Sequence, residues 1–169
     1  MKATLDHIGI AVASIADALA FYRDALGLEV EAPEEVPSQR VRVRFVLLGG
    51  TADEGAEAPG VKEERGEGVP AERDRGIGAP GVNLELLEAT ANESPIAKYI
   101  ATRGPGLHHI TLRVEDISAA LAHLKARGIR LVDEAPRPGA HGALVAFIHP
   151  SSAHGVLVEL TQCSSASSS

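Results

Sequence analysis

The chain has 169 residues, enough for one ordinary domain or for two small modules that share a sheet. A formal net charge of −7, with 3% aromatic residues and no Trp, excludes a surface built for a phosphate backbone or for stacked bases, so no nucleic-acid partner is expected. No apolar run reaches the roughly 20 residues of a membrane span, and the single cysteine, Cys163, rules out an internal disulfide framework and fits a reducing, cytoplasmic setting.

The first element is a strand. Ile8, Ile10 and Val12 alternate with His7, Gly9 and Ala11. Ser14 then stands where a helix N-cap belongs, followed by Ile15, Leu19 and Tyr22 at helical spacing. Gly27 supplies the left-handed residue that ends a helix. Strand-like runs follow at 41–48 and 82–87. Between them, residues 51–80 hold eight acidic and four basic side chains among many Gly and Pro, so 51–81 reads as a solvated, mobile insertion. Ser94 and Pro95 open a short helix as N-cap and first helical residue.

From Leu107 the chain repeats itself. Leu5 to Ala20 laid on Leu107 to Ala122, an offset of 102, gives eight identities in 16 positions. Beyond that stretch the register slips by one, since Gly27 pairs best with Gly128. Asp116 takes the place of the Ser14 cap, and Ile117, Leu121 and Leu124 form the helical stripe. Strand-like runs at 143–148 and 155–161 close the second copy. The predicted organisation is α+β: a first βαβββ module over 1–92, a linker helix within 93–105, a second βαβββ module over 106–163, and a disordered tail at 164–169.

The alternation of strand side chains locates the chemistry. If Ile8, Ile10 and Val12 face the helices, His7 faces away. Ile110, Leu112 and Val114 place His109 the same way. Leu84 and Leu86 put Glu85 on that face, and Val158 and Leu160 do so for Glu159. Two imidazoles and two carboxylates suit a divalent transition ion and leave open positions for water or substrate. Co2+ is the ion expected, and Mn2+, Ni2+ or Zn2+ suits the same donors. His108, by the same parity, is expected on the helix side.

The repeat with its paired His and Glu residues resembles the vicinal oxygen chelate (glyoxalase-like) superfamily. Finer motifs resemble its methylmalonyl-CoA epimerase family: Leu5 to Val12, Glu35 to Gln39, Ser94 to Lys98, Gly106 to Ile110, Arg137 to Gly142 and Gly155 to Leu160. The resemblance implies a curved sheet with an open metal-binding cleft, a CoA-thioester substrate, a homodimer, and exchange of 2R and 2S epimers by moving one proton at C2. It puts the metal on His7, His109 and Glu159, with Glu85 at a fourth position that is Gln in some relatives. It makes Glu159 a proton-transfer base. Some relatives carry a second Glu where this chain has Val43, so water or Glu85 is left for the second transfer. Gln39, Lys98 and His141 are motif residues expected at the substrate. His141 reads equally as a substrate contact, a general acid or a turn residue. A glyoxalase I-like isomerase, an extradiol dioxygenase and a metal-free binding protein are the rival readings of the same fold.

Overall fold

In a computed structural model of the protein, residues 1–48 and 82–163 are described; the expected insertion at 51–81 and tail at 164–169 lie outside them. The first half runs β1 (Ala3–Ala11), α1 (Ile15–Leu19), β2 (Glu34–Val36), β3 (Val41–Val46) and β4 (Asn83–Ala89). Helix α2 (Pro95–Arg103) follows. The second half repeats the order as β5 (Gly106–Val114), α3 (Ile117–Ala126), β6 (Arg137–Pro138), β7 (Leu144–Ile148) and β8 (Val158–Gln162).

All eight strands form one sheet in the order β2-β3-β4-β1-β5-β8-β7-β6. Within each half the first and last strands pair in parallel, β1 with β4 and β5 with β8. The halves meet where β1 and β5 run antiparallel. That seam sets His7 opposite Thr111 and Gly9 opposite His109, so the two halves contribute to one centre.

Helices α1 and α3 lie on one face. Ile15 and Leu19 of α1 pack with Val46, Leu86 and the flanking Ile10, Val12 and Leu84. Ile117, Ala120 and Leu121 of α3 pack with Val114, Ala146, Val158 and Leu160. Each helix is tied down twice at its start. Ser14 and Asp116 cap it by accepting from Asp17 N and Ala119 N. A side chain from the last strand of the same half then takes the first helical N–H: Glu88 accepts from Ile15 N at 2.7 Å, and Gln162 from Ile117 N at 2.8 Å. These bonds satisfy orphan donors of the first turn.

The first helix departs from expectation. After Ile15–Leu19 it continues as a π-helical turn over Ala20–Ala25. A π turn accommodates one residue more than an α turn. That extra residue is the one-position slip between Gly27 and Gly128, which sit at φ +69° and +72° in the two copies.

The other face of the sheet is concave and apolar at one end, where Ala11, Val36, Val41, Val43, Phe45 and Leu87 cluster with Ile96 of α2.

Candidate active site

His7, Glu85, His109 and Glu159 converge in a concave cleft of about 750 Å3. All four are buried, His109 most deeply at 3% exposure. Glu85 Oε2 lies 3.3 Å from His7 Nε2 and 3.5 Å from His109 Nε2. Glu159 Oε2 lies 3.0 Å from His109 Nε2. The donor atoms of His7, Glu85 and His109 all fall within 4.8 Å of one another, and Glu159 joins them through His109.

Two β-bulges build this centre. The β1–β5 register skips Asp6 on one strand and His108 on the other, the residues immediately before His7 and His109. A bulge turns its extra side chain out of the normal alternation. Asp6 and His108 therefore both line the cleft, and the expectation that His108 faces the helices fails because parity does not survive a bulge. Each bulge residue grips the Nδ1 of the histidine that follows it. Asp6 Oδ1 is 2.8 Å from His7 Nδ1, and His108 Nδ1 is 2.9 Å from His109 Nδ1. Fixing Nδ1 in this way orients the ring and leaves Nε2 directed into the cleft.

The two grips differ in charge. Burial would draw Asp6 upward, but His7 and the Arg113 guanidinium, whose Nε donates to Asp6 Oδ2 at 2.6 Å, hold it below the usual carboxylate range. Burial would likewise draw His7 down, yet Asp6, Glu85 and the charge of Glu159 push it up to about 10. His108 is held near 4 by burial and by the neighbouring His109. A neutral His108 accepts the Nδ1–H of His109.

The residues fit a divalent cation. Two ligands about 2.1 Å from one ion stand roughly 3.0 to 3.4 Å apart at right or tetrahedral angles, the spacing found here. His109 Nε2 is fully buried and has no hydrogen-bond partner among the described residues, although two carboxylate oxygens lie near it. An orphaned polar atom of this kind costs about 1–3 kcal/mol unless something meets it. Gly9 completes the cradle. A Cβ there would come within 2.2 Å of the His109 ring, so only glycine lets that imidazole lie against β1.

Three further residues escaped the sequence reading. Thr111, fully buried, sets its hydroxyl 2.9 Å from His7 Nε2 and donates to Glu159 Oε2 at 3.3 Å. Phe45 and Phe147 stand edge-on to His7 and His109, with centroids 5.4 and 5.6 Å away. They are separated by 102, so the repeat offset itself was the signal that linked them.

Of the residues expected at the substrate, Gln39 and His141 line the cleft. Lys98 is exposed on α2 and is not among the lining residues. Val43 is buried in the cleft wall.

The profile of the Glyoxalase/Bleomycin resistance protein/Dioxygenase superfamily matches residues 4–160. An ethylmalonyl-CoA/methylmalonyl-CoA epimerase of Cereibacter sphaeroides is 35% identical over 96% of this chain and 99% of its own. The mitochondrial methylmalonyl-CoA epimerase of Bos taurus is 35% identical over 94% of this chain and 73% of its own. A solved Streptomyces coelicolor methylmalonyl-CoA epimerase variant, in complex with 2-nitronate-propionyl-CoA, superposes with a TM-score of 0.75 at 30% identity, covering 96% of this chain and 95% of that one. With its paired histidines, bulges and glutamates on a matching fold, this chain belongs to the glyoxalase superfamily and, within it, to the methylmalonyl-CoA epimerase family.

Proposed function

We propose that this protein interconverts the 2R and 2S epimers of methylmalonyl-CoA by proton transfer at C2. The observation that carries the reading is the four-donor cluster of two His and two Glu at the floor of a cleft, on a chain kin to epimerases. C2 lies between a thioester and a carboxylate, so removing its proton moves charge onto the thioester oxygen. A divalent ion on His7, Glu85, His109 and Glu159 would supply Lewis-acid stabilisation of that charge. Co2+ is the ion we assign, with Mn2+, Ni2+ or Zn2+ as equivalents on this donor set.

The protein's own groups divide the remaining work. Glu85 approaches both histidines and serves mainly as ligand. Glu159 approaches only His109 and shares its Oε2 with Thr111, so it is freer to take the C2 proton. Its second contact, the Thr111 hydroxyl, aims it. The Streptomyces coelicolor relative's ligand supports this chemistry, since a nitronate is planar at the carbon where an enolate would be and carries its negative charge on oxygen. An extradiol dioxygenase needs two His and one carboxylate with the rest of the metal open; Glu85, placed between both histidines, disfavours it. We further assign a homodimer on family kinship and a cytoplasmic setting on the lone Cys163 thiol.

Glu159→Gln tests the assignment. The variant keeps shape and fold, and epimerisation is expected to fall by at least about 100-fold. Turnover near that of the unmodified protein would remove Glu159 from proton transfer.

A further inference from the structure

Epimerisation at a planar carbon needs a proton taken from one face and returned on the other. Glu159 on β8 serves one face, and on β3 of the other half the cleft is lined by the apolar Val43 and Phe45. The other ionisable groups of the lining, among the described residues, are committed elsewhere. Asp6 and His108 hold the ligand histidines, and Glu85 is taken up between the two, its Oε2 3.3 Å from His7 Nε2 and 3.5 Å from His109 Nε2. Arg113 is bound to Asp6 and Arg137 to Asp133, and guanidinium groups do not give up protons at neutral pH. Cys163 is exposed.

His141 remains. Its ring packs on Phe45 at a centroid distance of 4.9 Å, tilted by 33°. Phe45 in turn touches His7, so His141 stands on the first-half side of the centre, whereas Glu159 pairs with Phe147 across the second half. Glu34 Oε2 and Glu31 Oε2 lie 3.2 and 3.5 Å from His141 Nε2. The carboxylate of Glu34 also accepts from the His141 backbone N–H at 3.0 Å. These contacts hold His141 in the left-handed region at φ +54°, a conformation that costs a bulky residue about 1–2 kcal/mol. The two carboxylates beside Nε2 favour a proton on that nitrogen, and Nδ1 has no partner among the described residues. A carboxylate behind one ring nitrogen and a free second nitrogen is the arrangement of an imidazole acid–base group.

We propose that His141 is the second proton-transfer group, acting on the face of C2 opposite Glu159. This rests on the epimerase reading above. In one direction the Glu159 carboxylate takes the C2 proton, and the C–H electron pair enters the thioester carbonyl. The His141 imidazolium then gives its Nδ1 proton to the other face, and the pair returns to a new C2–H bond of inverted configuration. The reverse uses protonated Glu159 and neutral His141. Water resets both groups, and no other reactant is consumed.

The test is C2 exchange in deuterated water, run on each epimer separately with metal-loaded protein. His141→Asn is the first variant, because Asn tolerates a left-handed backbone. It is expected to lose at least about 100-fold in epimerisation. One epimer should still exchange C2 hydrogen at near-normal rate, and the other should not. In His141→Gly, added imidazole is expected to restore the missing exchange. Epimerisation within about fivefold of the unmodified protein, or equal loss of exchange from both epimers with metal retained and no rescue by imidazole, would overturn the proposal. Absence of exchange in the unmodified protein itself would instead sink the epimerase reading.

Discussion

At Gly9 a single hydrogen atom decides whether the centre can form. The His109 ring occupies the space a methyl group would need, with three ring atoms inside 2.7 Å of the position a Cβ would take. Gly9→Ala is therefore expected to push His109 away from Glu85 and to weaken divalent-ion binding by about tenfold or more, with the sheet intact. Competition with a chromogenic chelator measures this, and unchanged affinity would show that the ring shifts at no cost. Asp6 acts on the other histidine through Nδ1. Asp6→Asn keeps a hydrogen-bond acceptor but removes the charge, so ion affinity should drop about 10–100-fold. If affinity is unchanged, the Arg113–Asp6–His7 chain is structural. Strand alternation in the sequence was enough to put His7, Glu85, His109 and Glu159 on one face. It was blind to Asp6 and His108, because a bulge is a property of how two strands pair and leaves no mark in either strand alone. The partners of His141 were equally hidden, since Glu31 and Glu34 are more than a hundred residues away in the chain and meet it only through the fold.

The elements repeat their devices as faithfully as their residues. Helices α1 and α3 both start under a short polar cap and a side chain reaching from the final strand of the same half. The caps were legible, because Ser14 and Asp116 precede apolar stripes. The reach of Glu88 and Gln162 was not, because it depends on the parallel pairing that brings the strand's end beside the helix's start. Asp116→Ala should cost about 1 kcal/mol of stability and leave metal-loaded turnover unchanged, as urea unfolding and an epimerase assay would show. A loss of activity at full stability would mean that α3 shapes the cleft. The π turn at Ala20–Ala25 explains the one residue by which the copies fall out of step. The strand expected over 155–161 begins only at Val158, because Gly155 at φ +91° is still turning the chain into the sheet.

At the scale of the molecule, one sheet with its seam at β1–β5 turns a sequence repeat into a single centre with a half from each copy. Each half supplies a bulge residue, a histidine, a phenylalanine and a glutamate. The copies differ most between their last two strands. Residues 149–157 join β7 to β8, whereas 47–82 join β3 to β4. If the longer connection is not part of the centre, replacing 51–82 by a short turn should leave epimerisation within a few-fold of normal. A folded but inactive product would give that segment a role.

The proposed epimerisation depends on a cation held by His7, Glu85, His109 and Glu159 for proton transfer at C2. Its most direct test is incorporation of solvent deuterium at C2 of methylmalonyl-CoA, before and after the protein is stripped with a chelator. Exchange that disappears on stripping and returns with Co2+ is the predicted result. Exchange that persists undiminished without metal, or never occurs in the fully loaded protein, would contradict the claim.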